Sequence, residues 1–403
     1  MKNLSIKDIA MFNHLKRERG FYKRMWLLAL PLILQNLITT SLGFVDTFMV
    51  GLLGQSELSA VTAANSPIFL VQVIIFGLIS GLTVLVSQYW GKGDTNAINR
   101  CMGVALYAGV AIASAVALVL FLFPHAVMGM VTNNALLIEL GMPYLRIVEF
   151  LLTLGYALFS RRVPLDLRAI LRPGTAFVGD FIKYSTPVLI NETLWGLGVT
   201  VMTAIIGHML ISEEMLAAYA IMGNIDKFST VACFGVAGAT AVIVGKRIGE
   251  GAGKDEIYSL GCCLLTVSLL VGAVVSLCLA VALPTVFIPY LYPLFHLEGL
   301  ALRIAVTMCV VYICILPFKA FDITNITGLL RAGGDARMAS VIDLVSQWGV
   351  AVPLTLLMAL VVDAPVTLVC VALQSENFSK MPWGIFRLRS RKWINNVTRG
   401  RDT

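Results

Sequence analysis

Three carboxylates in this chain stand where an acid is hard to keep. Asp46 lies near the end of the first long apolar stretch, in "LGFVDTFMVG" from Leu42 to Gly51; Glu192 follows Pro187 in "STPVLINETLWGLG"; Asp343 lies in "SVIDLVSQWG". An acid surrounded by hydrocarbon either keeps its proton or holds a cation, and both are the chemistry of an ion-coupled carrier. The neighbouring residues fit that chemistry. Asn36, Thr39, Thr40, Gly43, Asp46 and Thr47 recur at steps of three and four, which places them on one stripe of a helix, with Gln35 beside it. Asn191 and Trp195 flank Glu192, so an amide, an acid and an aromatic face share a helix that Pro187 loosens, a set that suits an organic cation or Na+. Asp343 shares a stripe with Ser340 and Gln347. Each acid also has a structural use: Asp46 solvated near an interface, Glu192 as a polar partner, Asp343 paired with Arg331 or Arg337. Glu376 and Lys380 have the spacing of an i,i+4 pair, while Asp226 with Lys227 and Lys319 with Asp322 are charges that pair with their own neighbours or reach for the interface.

What must hold these residues is a membrane bundle. The chain is 58% hydrophobic and 13% charged, which excludes a soluble globule. About ten apolar runs, each long enough for a ~30 Å hydrocarbon core, recur between residues 25 and 388, the fourth at about 136–160 and the tenth at about 365–388. Short alternating strands are absent, so the spans read as helices and not as a β-barrel. The lead "MKNLSIKDIAMFNHLKRERGFYKR" is basic and amphipathic without a small-residue cleavage site, and reads as a retained cytoplasmic segment over residues 1–24. Every second loop after it is basic, among them "WGKGDTNAINR" and "GKRIGEGAGK", while those at about 125–135, 207–215 and 291–299 hold no Lys or Arg. Both termini therefore read as cytoplasmic, in a multi-pass protein of the inner (plasma) membrane. The net charge of +7 follows from that topology, and basic residues dispersed over loops exclude a nucleic-acid surface.

Other chemistries fail on spacing. Eight cysteines fall in or at the start of apolar runs without C-x-x-C spacing and read as small packing residues, and four histidines form no H-E-x-x-H or nucleophile arrangement. "GEGAGKD" lacks the G-x-x-x-x-G-K-[ST] spacing, so transport would be driven by ions and not by a nucleotide. No catalytic residue, metal centre or cofactor is expected.

The chain repeats itself. "ALPLILQNLITTSLGFVDTFMVG" aligns with "STPVLINETLWGLGVTVMTAIIG" at an offset of 156, and "FGLISGLTVLVSQYWGKG" with "FGVAGATAVIVGKRIGEG" at an offset of 158. Order and direction agree, so the halves are parallel repeats, with a substrate site expected between them near mid-membrane. They are unequal: "GLLRAGGDAR" of the second half has no counterpart near position 173, which leaves the first half about 50 residues short. The expected fold is an all-α, two-lobe bundle of about ten membrane helices arranged 4+6. An incomplete first lobe at 25–160 precedes a cytoplasmic linker at 161–180, a complete six-helix second lobe at 181–391, and a cytoplasmic tail at 392–403.

"PLILQN" with "VDTFMVG", "LSAVTAANSP", "SQYWGKGD", "LINETLWGLG", "GLLRAGGDAR" and "DLVSQWGVAVPL", in this order, resemble the multidrug and toxic compound extrusion (MATE) transporters over nearly the whole chain. The resemblance implies a monomeric, two-lobe, twelve-helix antiporter that exchanges cationic or amphiphilic organic compounds for H+ or Na+ by alternating access. Its partners are then small organic molecules and the lipid bilayer. Asp46 resembles the family's proton-linked acid and Glu192 the acid of the corresponding helix; with Asp343 they are the expected coupling residues. Gln35, Asn36, Asn191, Trp195 and Gln347 are the expected substrate contacts. The 4+6 arrangement departs from the family and leaves two alternatives, a truncated, transport-impaired member or a flippase for lipid-linked substrates.

Overall fold

The computed structural model describes residues 14–15, 17–51, 55–131, 135–136, 138–143, 174–295 and 297–398, and among them no strand occurs. In hydrocarbon a chain must satisfy its own backbone, and here helices do so. They are α1 (Arg19–Gly51), α2 (Gln55–Lys92), α3 (Thr95–Leu122), the short α4 (Pro124–Val131), α5 (Thr175–Gly207), α6 (Ser212–Gly249), α7 (Lys254–Leu294), α8 (Gly299–Leu330), α9 (Ala336–Val361), α10 (Val366–Leu373) and α11 (Ser375–Ser390). Eight of these, α1–α3 and α5–α9, contain a stretch long and apolar enough to cross a membrane. The expected fourth span and the linker fall largely outside the described residues. The expected tenth span is not one helix: its run breaks at Gln374 between α10 and α11.

The turns between spans follow the repeat. Gly93 (φ +73°) and Gly251 (φ +78°), counterparts at the offset of 158, both take the left-handed conformation that lets a helix stop within one residue. Asp94 then caps α3 by accepting from the Ala97 amide at 2.9 Å. These glycine-rich segments are helix punctuation.

The chain forms two compact units, a smaller one of Ile38–Val86 and Asp94–Thr193 and a larger one of Met1–Leu37, Ser87–Gly93 and Leu194–Thr403. In the smaller unit α2 lies against α5 through two glycines: a Cβ on Gly77 would meet the Leu189 Cα at 3.1 Å, and one on Gly81 would collide with Ser185. In the larger unit a Cβ on Gly235 of α6 would collide with Ile33 of α1. Gly235 is the counterpart of Gly77 and Ile33 that of Leu189, so one close helix contact is built twice. The basic ends of α2 and α6 also cross within the larger unit. There Gly245 faces its own counterpart Ser87, Gly91 faces the backbone of Lys246, and Gly249 faces the backbone of Gln88. Pairing of each residue with its counterpart's neighbourhood is what a two-fold axis through the crossing produces.

The C-terminal segment binds that crossing. The buried Gln88 donates from Nε2 to the carbonyls of Ala332 (2.9 Å) and Asn395 (3.1 Å), and its Oε1 accepts from the Val397 amide at 2.8 Å. The Asn395 amide donates to Gly333 at 2.8 Å. Fully buried Trp393 packs among Ile257, Leu260 and Leu329, its indole donating to Leu388 at 3.0 Å. Beside it, outside the spans, Arg387 Nε holds Asp335 Oδ2 at 2.6 Å; burial raises the Asp335 carboxyl above its ordinary pKa against the pull of that guanidinium.

Candidate functional site

The larger unit carries a group of buried charges built by three helices. On α11, Glu376, Lys380 and Gly384 fall one turn apart on one face. Lys380 Nζ lies 2.7 Å from Asp343 Oδ1 of α9 and 3.4 Å from Glu376 Oε2. On α8, Asp322 and Asn325 share a face, and Asp322 interacts electrostatically with Lys380, Glu376 and Asp343. Asp322 is 3% exposed and Asn325 0%, yet among the described residues Asp322 Oδ2 and both side-chain amide atoms of Asn325 have no hydrogen-bond partner. The missing side chain of Gly384 makes room for the Asn325 amide, which a Cβ there would strike.

Local structure sets this geometry. From Thr324 to Leu330 α8 widens into a π-helical turn. Ser268 of α7 supports its start, within 2.6 Å of Thr324 Oγ1 and donating to the Ala320 carbonyl at 2.7 Å. Such turns recur where a helix serves a site. Two carboxyl groups thus share one ammonium in a buried setting, with the buried Asp322 within their electrostatic reach. Among the described residues, no three His, Cys, Asp or Glu side chains converge as metal ligands.

These pairings differ from those expected along single helices. Asp343 pairs with Lys380, from another helix. Lys319 pairs neither with Asp322 nor leaves Asp226 to Lys227: its Nζ lies 2.5 Å from Asp226 Oδ1 of α6 and over the Tyr312 ring. Adjacent residues on a helix point apart, whereas α6 and α8 pack side by side. Only the Glu376–Lys380 pair stands as spaced. Spacing therefore missed Asp322 as a member of the buried group; the signal was the polar run "DITNITG" inside an apolar span.

Of the other expected site residues, both on α5, Asn191 is fully buried and Glu192 is 8% exposed, its Cγ 3.5 Å from where a Cβ on Gly77 would lie. Gln347 and Trp195 are brought together, Gln347 Nε2 donating to the Trp195 carbonyl at 3.1 Å. Trp348, which the sequence did not single out, donates from its indole to Leu194 at 3.2 Å. On α1, Asn36 and Thr40 are half-buried and Gln35 and Thr39 exposed. Asp46 lies on α1, and its side chain falls outside the described residues. The smaller unit also holds an apolar groove of about 470 Å³ lined by Leu78, Tyr107, Phe181, Ser185 and Leu189 among others, and none of the expected site residues lines it.

Comparison with known proteins agrees with the duplicated bundle. The MatE family model matches twice, at residues 31–160 and 187–357, the second match starting at the counterpart of Pro31. The chain is similar to the probable multidrug resistance protein NorM of Neisseria meningitidis serogroup A, 33% identical over 73 residues, 18% of this chain and 16% of that protein. That match spans a small part of the relative's length. Similarity to the multidrug resistance protein PmpM of Pseudomonas aeruginosa is longer, 20% identity over 414 aligned positions and 84% of each chain. Among solved structures, the fold is like that of a MOP superfamily transporter from Pyrococcus furiosus (TM-score 0.78, 13% identity, 95% of this chain and 99% of that one). It is also like that of the eukaryotic MATE transporter AtDTX14 (TM-score 0.76, 12% identity, 96% and 98%). A family match in each half, on a membrane bundle that makes the same helix contact twice, leaves one assignment: the chain belongs to the MatE family of membrane transporters.

Proposed function

We propose that the chain is a secondary active exporter that moves cationic or amphiphilic organic compounds out of the cell against H+ or Na+ by alternating access. The observation that carries the reading is the excess of buried acid among the described residues: Asp343 and Glu376 pair with the ammonium of Lys380, and the buried Asp322, on a helix apolar enough to span a membrane, interacts electrostatically with all three. A site with more negative than positive groups in low dielectric must take up a positive charge, and an exchanger uses that uptake and release. Asp46 and Glu192 act as coupling acids with Asp343. Gln35, Asn36, Asn191, Trp195 and Gln347 offer amides and an aromatic face to the substrate. The printed names of NorM and PmpM as multidrug resistance proteins support organic substrates.

In this reading both termini face the cytoplasm of a plasma-membrane protein, and lobes at 25–160 and 181–391 hold four and six membrane-crossing segments, the last of them broken at Gln374 into α10 and α11. The alignment to PmpM supports the deficit: it runs over 414 positions although it takes in only 84% of a chain of 403 residues, so the relative has residues for which this chain has none. The first family match is likewise the shorter. A slow or impaired carrier follows, because a lobe short of helices leaves polar backbone and side-chain groups toward lipid.

The test is efflux of a fluorescent organic cation from energised membrane vesicles. Asp46→Asn and Glu192→Gln should each abolish ion-driven efflux while the protein still inserts, since each substitution keeps shape and removes the ionisable group. Normal efflux in both variants would remove them from the coupling path.

A further inference from the structure

We propose that residues 394–398 form a releasable strap: they tie the end of α2 to α6 and to the turn after α8, hold the end of the bundle that carries the α2–α6 crossing shut, and detach when that end opens. The inference rests on the reading of the chain as an alternating-access carrier and names the part that governs opening at one end.

The strap begins where α11 stops. Arg391 takes the left-handed conformation (φ 55°), which ends the helix and turns the chain back over the bundle. Trp393 is the anchor, fully buried and held by its indole. From 394 to 398 the chain has no helical structure, and hydrogen bonds to three elements hold it. The Gln88 carboxamide of α2 donates to the Asn395 carbonyl and accepts from the Val397 amide, while its second donation reaches Ala332. The Asn395 amide donates to the Gly333 carbonyl at 2.8 Å. Asn396 Nδ2 donates at 3.4 Å to the carbonyl of Ile248, in the last turn of α6, where carbonyls lack a partner within their own helix. One segment thus joins α2 of the first repeat to α6 and the turn at 331–335 of the second.

Its bonds suit release. Each ends on a strap group or on a group at a helix end beside the loops, where water can offer the same bond, so detachment exchanges partners and strands no polar group. Beyond the anchor only Ile394 and Val397 bury apolar side chains. The crossing beneath is of another kind. A Cβ on Gly91 would strike the Lys246 backbone and one on Gly249 the Gln88 backbone, so the two helix ends lock together and must part for this end to open. The strap is also one-sided. At the offset of 158 the counterpart of Gln88 is Lys246, whose ammonium reaches Glu250 of its own helix at 3.7 Å. A carboxamide offers the donor and the acceptor that the strap uses, and an ammonium offers donors alone. Packing under a two-fold axis would build both ends alike; the chain spends its strap on one.

Amide hydrogen exchange of the purified full chain, read by mass spectrometry, tests this without requiring transport. In the wild type the strap amides should exchange about tenfold faster or more than the buried amides of α8, through an opening that needs no global unfolding. Gln88→Ala should speed exchange in the strap and in the last turns of α2 and α6 by about tenfold or more, with α8 unchanged. Asn395→Pro with Val397→Pro removes two strap N–H groups without touching a helix and should do the same at α2 and α6. A wild-type strap that exchanges only as slowly as α8 overturns the proposal, since it then leaves only on unfolding. So do helix ends that keep their wild-type rates after release, or an acceleration that spreads to α8; the proline pair decides wherever the two variants differ. Efflux absent from every chain beside the predicted exchange pattern would sink the transport reading alone, and normal efflux beside unchanged exchange would sink the strap alone.

Discussion

At the scale of single residues, spacing along the chain located the acids but not their partners. Glu376 and Lys380 were legible as a pair because both lie on one helix; Asp226–Lys319 and Asp343–Lys380 were not, because each joins helices far apart in sequence. Only packing decides such a pair. The half-buried Asp226–Lys319 pair should contribute modestly, between an exposed pair and a fully buried one. Asp226→Asn should destabilise the protein in detergent by about 1–3 kcal/mol, and adding Lys319→Met should restore part of the loss by removing the stranded charge. A double change no better than the single one would show that the pair is not the unit of stability. The glycines act by being small. A Cβ on Gly91 would strike the backbone of Lys246, whereas one on Gly20 meets nothing within 4 Å. Gly91→Ala should therefore cost about 1–3 kcal/mol by overpacking while Gly20→Ala leaves the melting temperature unchanged or raised. Equal effects would disprove the close crossing.

Among elements, the duplicated helices were readable because two fixed offsets align proline with proline and glycine with glycine. Those offsets also match Gly77–Leu189 with Gly235–Ile33, a contact between helices that the alignment alone could not place. The C-terminal segment was not readable. "KWINNVTRGR" looks like a basic tail, yet Trp393 is fully buried and Gln88 spends both polar atoms on that segment and the turn beside it. Its burial depends on a cavity made by α7, α8 and the turn at 331–335, none of which leaves a mark in the segment's own composition. Trp393→Ala should lower stability by about 3–5 kcal/mol, as expected for loss of a fully buried indole. Thermal melting in detergent reads it, and an unchanged midpoint would mean the segment is only loosely held.

For the whole molecule, family and all-helical membrane class lay in the sequence, while the break of the last apolar run at Gln374 into two short helices did not. Hydropathy measures how apolar a stretch is and not whether one polar residue interrupts its ladder. Topology remains a proposal with a direct check. Single cysteines at Arg168 and in the tail at Lys392 should react only from the cytoplasmic side, and external labelling at Arg168 would overturn the span order. The account's central claim is that this chain converts an ion gradient into movement of an organic cation. Purified protein in liposomes, with a fluorescent organic cation inside and an imposed pH gradient, measures that conversion directly. The account predicts efflux above that of empty liposomes, abolished by Asp46→Asn and by Glu192→Gln, and slower than in a chain whose first half is restored to full length. Flux equal to empty liposomes in both the present and the restored chain, at every imposed gradient, would contradict it.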